Sequence, residues 1–215
     1  MLLYTYKENI NKLGDKMNMN FKEAMEARRT YYGISNESPI ADDNIIEIVK
    51  NSVKNVPTAF NSQSTRVVVL FNENHKKLWD ITKEVLGALV PKENFKSTED
   101  KINSFRAGHG TILYFDDTRV TNGLKEQFPL YKDNFDPWAD QANGMLQFAI
   151  WTQLEAEGLG VNLQHYNPLI DEKVKVEFNI PKEWRLISEM PFGKIVKDPD
   201  EKSFVNINER VKVIN

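Results

Sequence analysis

The 215-residue chain contains no cysteine. Disulfides, thiolate nucleophiles, thiolate-bound zinc and iron–sulfur clusters are therefore excluded. Histidine is scarce too. His75, His109 and His165 lie far apart with no HxxxH or HxxH spacing, so no metal site is expected. No apolar run is long enough to span a bilayer, so no membrane partner is expected. The opening Met1-Leu2-Leu3-Tyr4-Thr5-Tyr6 meets Lys7 and Glu8 at once, without the apolar core or cleavage site of a secretion signal. There is no excess of positive charge: the net charge is −3, which argues against nucleic acid and leaves room only for a local basic pocket. No GxGxxG follows a strand, and no GxxxxGK[ST] occurs. The expectation is a soluble cytoplasmic protein.

What is present is ordinary in bulk. A composition of 40% hydrophobic and 27% charged residues suits a single globular domain with a sizeable core. Residues 1–17 read as an N-terminal extension foreign to the fold, with Met17 or Met19 as the native start, or as an arm that packs on a partner subunit. Residues 18–215 form the domain. Phe21, Ala24, Met25 and Arg28 share a helical face, so residues 20–30 are predicted helical. Asp42 and Asp43 are expected to cap the next helix, which Pro57 stops. Residues 66–71 form a β-branched run with the length of a buried strand. Residues 74–89 return to helix, and Ser97-Thr98-Glu99-Asp100 resembles another helix start.

A second buried strand is expected over residues 111–115, followed by a loop rich in aromatics and proline through Phe128, Pro129, Tyr131, Phe135 and Pro137. Residues 137–157 form the longest helix. It is apolar and small enough to be buried, as at a subunit contact, and is ended by Gly158 and Gly160. Pro168 opens a further helix, residues 184–190 form a third strand, and residues 199–215 form an extended arm. Strands and helices intermix without a regular βαβ rhythm. That favours an α+β core, with helices packed around a small sheet.

Three polar stretches carry the chemistry. Arg28-Arg29-Thr30 offers two guanidinium groups and a hydroxyl, which taken alone is more often a solvated helix end than a phosphate cradle. In Pro57-Thr58-Ala59-Phe60-Asn61-Ser62-Gln63, proline fixes the chain, small Thr58 and Ala59 permit close approach, and Asn61 and Gln63 supply donors and acceptors without ionising. Gln164-His165-Tyr166-Asn167-Pro168 follows the Gly-bearing connection after the long helix.

In this order the three stretches resemble the flavin-binding stations of the nitroreductase family. The branch they most resemble holds small bacterial and fungal enzymes with Asn-Ser-Gln and Gln-His-Tyr-Asn-Pro motifs. The likeness implies a nitroreductase-like α+β fold around a small, mainly antiparallel sheet, with an extended C-terminal arm. It implies FMN as cofactor and NADH or NADPH as electron donor. It also implies a nitroaromatic or quinone-type small-molecule acceptor, a ping-pong mechanism, a stress-response role and a homodimer with flavin sites at the subunit interface. It further implies that Arg28, Arg29 and Thr30 meet the phosphate, with Lys202 as an added basic residue. Pro57, Thr58, Ala59, Asn61 and Gln63 would reach the flavin bound mainly by the other subunit. Gln164 and His165 would pass along the ring, His165 touching flavin or substrate. Tyr32 stands where the family commonly has a cation beside the flavin pyrimidine, and Asn103 with Arg106 is the expected replacement. No catalytic side chain is expected, since the flavin carries the chemistry. A flavin-binding redox sensor with little turnover is the alternative.

Overall fold

Strand β3 (Gly110–Asp117) is buried at every residue, which accounts for its run Thr111-Ile112-Leu113-Tyr114-Phe115: a strand covered on both faces has no polar side. A computed structural model describes residues 19–215; the extension expected over residues 1–17 lies outside the described residues. Among the described residues there are seven α-helices and five strands: α1 (Phe21–Ala27), β1 (Gly33–Ser35), α2 (Asp42–Asn55), β2 (Thr65–Phe71), α3 (Asn72–Leu89), α4 (Lys92–Arg106), β3, α5 (Thr118–Gln127), α6 (Phe135–Ala156), β4 (Leu159–Val161), α7 (Asp171–Glu177) and β5 (Trp184–Lys197). All strand pairings are antiparallel, in the order β1-β5-β3-β2, with β4 also on β5. The α+β expectation holds.

The sheet divides two apolar layers, and β3 feeds both by strand alternation. Leu113 and Phe115 pack with Leu78, Trp79, Ile102 and Phe105 from α3 and α4. Ile112 and Tyr114 pack with Ile45, Val49, Leu146 and Ile150 from α2 and α6. A register shift on β5 sets Phe115 opposite Leu186 and Tyr114 opposite Ser188. Leu186 and Met190, an even number of residues apart, therefore serve opposite layers.

Several boundaries differ from expectation. Helix α1 stops at Ala27, so Arg28, Arg29 and Thr30 leave it as extended chain; Asn20 and Glu23 close its start with a capping box. Asp42 and Asp43 lie in the first turn of α2 behind Ala41, favouring the helix dipole without capping. Helix α4 begins at Lys92 after Pro91, and the expected start at Ser97 is mid-helix, its hydroxyl bonding back to the Asn94 carbonyl.

The expected loop after β3 is α5, capped by the Asp117 carboxylate, followed by a short 3-10 segment, Pro129–Asn134. Helix α5 buries only Thr121, so it has little apolar face to read. Gly158, at φ 87°, ends α6, whereas Gly160 lies inside β4. Pro168 sits in a turn with a cis peptide, and α7 begins at Asp171. Strand β5 runs seven residues past Met190, because β1 and β4 supply partners for its second half. Strand β2 is half-buried except at Leu70, since among the described residues it ends the sheet and pairs only with β3. The tail has one short 3-10 turn, Ile207–Glu209, and is exposed from residue 200 onward. No helix among the described residues is long and apolar enough to cross a membrane.

Candidate functional site

The first group forms where α1 hands over to β1. Arg28, Arg29, Thr30 and Tyr32 line one cleft of about 370 Å³ together with the end of β5 and Lys202. The segment is fastened from below. The backbone N–H of Arg29 donates to Oε2 of buried Glu155 at 2.7 Å, and the Trp151 indole donates to Oε1 of the same carboxylate at 2.6 Å. The Tyr31 N–H donates to the Val161 carbonyl at 2.9 Å, and the Asn162 amide donates to the Tyr31 carbonyl at 2.8 Å. The Arg28 guanidinium lies over the Trp151 ring, 4.5 Å from its centroid. Arg29 donates to the Asp200 carbonyl, and the Lys202 ammonium sits 5.1 Å from the Phe204 ring. Arg28, Arg29, Lys197 and Lys202 thus share the cleft with Asp198, Asp200 and Glu201.

Tyr32 ties this cleft to a second wall. Half its surface is exposed, and its ring is 6.2 Å from that of buried Phe105 on α4. Phe105 packs on Trp79 at 5.0 Å, and Trp79 meets Tyr166 edge-on at 6.1 Å. The expected cation Arg106 is not free. It forms a two-point ion pair with Asp80, while its carbonyl meets the His75 ring. Lys101 was missed. Its ammonium lies 6.0 Å from the rings of both Tyr32 and Phe105, and it pairs with no carboxylate among the described residues. The signal was there: Lys101 and Phe105 stand one helical turn apart. Asn103, on the same helix, is exposed.

Gln164 is buried. It exchanges backbone hydrogen bonds with Glu189 at 2.7 and 3.0 Å, and its amide donates to Asn162 Oδ1 at 2.8 Å. His165 beside it is exposed, and partial burial of its ring lowers its pKa. Glu189 was also missed, although a carboxylate inside the apolar run of β5 was a visible anomaly. One of its oxygens accepts the Tyr166 N–H at 3.0 Å, and the other has no partner among the described residues. Burial pushes this carboxyl up to about 8. Burial, then Glu189 and Tyr32, pushes the Tyr166 phenol up to about 12.

The second group surrounds a larger cavity of about 700 Å³. Thr58, Asn61 and Gln63 line it with Lys50, Lys54 and Arg66. Pro57 and Ala59 are not in its wall. The Gln63 N–H donates to Thr58 Oγ1 at 3.0 Å, and Arg66 joins the Gln63 carbonyl at 2.6 Å to the Asp117 carboxylate at 3.1 Å. Eight of the fourteen residues foreseen from sequence therefore fall around two cavities of one chain, and Pro57, Ala59, Asn103, Arg106, Gln164 and His165 line neither. Arg28, Arg29, Thr30, Tyr32 and Lys202 line the smaller, and Thr58, Asn61 and Gln63 line the larger.

Comparison with known proteins gives the family of the chain. The model of the Nitroreductase family matches residues 25–194. HBN1 of Saccharomyces cerevisiae is 35% identical over 187 residues, covering 86% of this chain and 93% of that protein. The nitroreductase CinD of Lactococcus lactis, solved in complex with nicotinic acid, is 41% identical, covers 91% of this chain and all of its own, and superposes with a TM-score of 0.85. CinD has also been solved with chloramphenicol and with 4-nitrophenol. A more distant structure from Exiguobacterium sibiricum, in complex with FMN, shares the fold at 12% identity and a TM-score of 0.69. The chain belongs to the nitroreductase family and is an oxidoreductase of the nitroreductase type.

Proposed function

We propose that the protein is an FMN-dependent oxidoreductase that moves electrons from NADH or NADPH to nitroaromatic or quinone-type acceptors by a ping-pong mechanism. The observation that carries this reading is the smaller cleft, lined by two arginines, two lysines and Thr30 against three acidic residues, in a chain of this family. That donor set suits the phosphate of FMN, which carries nearly two negative charges. Arg28 and Thr30 are its first ligands in this reading, and displacement of the Arg29–Asp200 contact frees a further guanidinium. Tyr32 lies toward the ring system, with Lys101 as the cation beside it in place of Arg106. Bound FMN supplies the hydride chemistry; the protein holds it, excludes water and offers charge where electrons collect.

The larger cavity supports the second part of the proposal, a homodimer in which Thr58, Asn61 and Gln63 reach the cofactor of the other subunit. Three open surfaces favour it: half-buried β2, the exposed Met145 and Phe148 on α6, and a tail with Phe204, Val205, Ile207, Val211, Val213 and Ile214 all exposed. CinD complexes with 4-nitrophenol and chloramphenicol support the nitroaromatic class of acceptor.

Steady-state kinetics test the reading. NADH and NADPH oxidation is followed with 4-nitrophenol or a quinone varied at several donor concentrations. Parallel double-reciprocal lines that depend on added FMN are expected. No turnover with any donor–acceptor pair would defeat the enzymatic reading.

A further inference from the structure

The turn that carries Asn61 and Gln63 is strained. Phe60, Asn61 and Gln63 have φ values of 56°, 49° and 50°, in the left-handed region that L residues avoid. Asn tolerates this region well; a bulky aromatic residue does not. Such strain persists only where the surroundings over-determine it. Local hydrogen bonds give part of the support: Asn61 N–H donates to the Thr58 carbonyl at 3.0 Å and Ser62 N–H to the Ala59 carbonyl at 3.1 Å.

The Gln63 N–H to Thr58 Oγ1 bond and the Arg66 bond to the Gln63 carbonyl hold the far end of the turn, and one ring packs beside them. Phe60 is 50% exposed, yet four aromatic side chains surround it. Its centroid lies 4.9 Å from Phe128, 5.4 Å from Phe135, 5.9 Å from Trp138 and 6.1 Å from Tyr131, all within the range of favourable ring contacts. Those four residues belong to the end of α5, the 3-10 segment and the start of α6, far from Phe60 in sequence. Phe60 itself is absent from the wall of the larger cavity, whereas its neighbours Asn61 and Gln63 line it.

We propose that Phe60 is a positioning residue whose ring, seated among Phe128, Tyr131, Phe135 and Trp138, holds the left-handed turn that aims Asn61 and Gln63 into the larger cavity. The inference deepens the flavin reading above, because it gives those two amides a fixed direction toward the cofactor. It also makes the α5–α6 connection part of the site's scaffold.

Two readouts test it in the full-length protein. The first needs no cofactor: amide hydrogen exchange at Asn61 and Ser62, measured without FMN. Phe60→Ala keeps the strain and loses the ring, while Phe60→Gly loses both. Each is expected to speed exchange there at least tenfold, with Phe60→Tyr near the parent. The second is the dissociation constant and visible band position of bound FMN. Phe60→Ala and Phe60→Gly are expected to bind about tenfold more weakly with a shifted band, and Phe60→Tyr to restore both. Unchanged exchange in both ring-less variants overturns the proposal. So does faster exchange with unchanged FMN affinity and band position. If the parent protein binds no FMN, the flavin reading fails, and the exchange data still decide whether Phe60 holds the turn.

Discussion

Arg106 and Asp80 are joined at two points, Nε to Oδ1 at 2.9 Å and Nη2 to Oδ2 at 3.0 Å. The pair holds the Arg106 guanidinium against α3, while the Lys101 ammonium lies 6.0 Å from the Tyr32 ring. Lys101→Met is therefore expected to make bound FMN harder to reduce, with little change in stability. Arg106→Met is expected to cost about 0.5–1 kcal/mol of stability, as for a partly exposed ion pair, with little change in the flavin potential. Potentiometric titration and urea unfolding of both variants check this. A larger potential shift in the Arg106 variant would return the role to Arg106.

The phosphate assignment predicts an affinity loss. Arg28→Ala is expected to weaken FMN binding about 10- to 100-fold, the scale of one or two charge-assisted hydrogen bonds. Arg28→Lys is expected to recover only part, because an ammonium cannot bind phosphate in two-point fashion. Fluorescence titration with FMN reads both variants, and parent-like affinity in Arg28→Ala would remove Arg28 from the phosphate site.

His75 predicts an acid-sensitive contribution to stability. Its ring lies 2.8 Å from Thr111 Oγ1 and 3.2 Å from the Arg106 carbonyl, and burial lowers its pKa from 6.5 to about 4. Above pH 6.5 the ring is neutral in both folded and unfolded chains and contributes no slope. Between pH 6.5 and 4 only the unfolded chain takes up the proton, so the contribution of this ring to stability falls as the pH drops, by about 3 kcal/mol across the window. Because the opposing slope of Glu189 is common to both proteins, the readout is the difference between them: urea unfolding should show the parent losing about 2 kcal/mol relative to His75→Gln between pH 7 and pH 5. Equal slopes would assign the acid sensitivity elsewhere.

Glu189 predicts the opposite trend, over a window from pH 4.5 to about 8 that overlaps that of His75. Its carboxyl is raised from 4.5 to about 8, so the folded chain keeps a proton that the unfolded chain releases. Its contribution is full below pH 4.5 and is lost as pH rises toward 8, on the order of 3–5 kcal/mol. Glu189→Gln should therefore melt higher than the parent at pH 8, with the gain shrinking toward pH 5. A variant that melts lower than the parent at pH 8 would show that the carboxyl is ionised and supported there.

The fold was legible where pattern reflects burial. The run at residues 111–115 and the small apolar face of α6 announced the central strand and the helix behind it. Helix α5 was hidden because it buries little, and the reach of β5 was hidden because its partners β1 and β4 are three-residue strands. At the site, residue type was readable and charge pairing was not. Arg106 looked like a free cation until Asp80, 26 residues earlier, was placed against it. The strained turn at Phe60 was invisible for the same reason, since its support comes from residues about 70 positions away.

The most direct test is the visible spectrum of the purified protein, supplied with FMN and reduced anaerobically with NADH or NADPH. A bound-flavin spectrum that bleaches with a nicotinamide and returns on adding 4-nitrophenol or a quinone is the expected result. A bound-flavin spectrum that neither donor bleaches would make the protein a flavin-binding sensor, and a protein that stays colourless with FMN would contradict the flavin assignment itself.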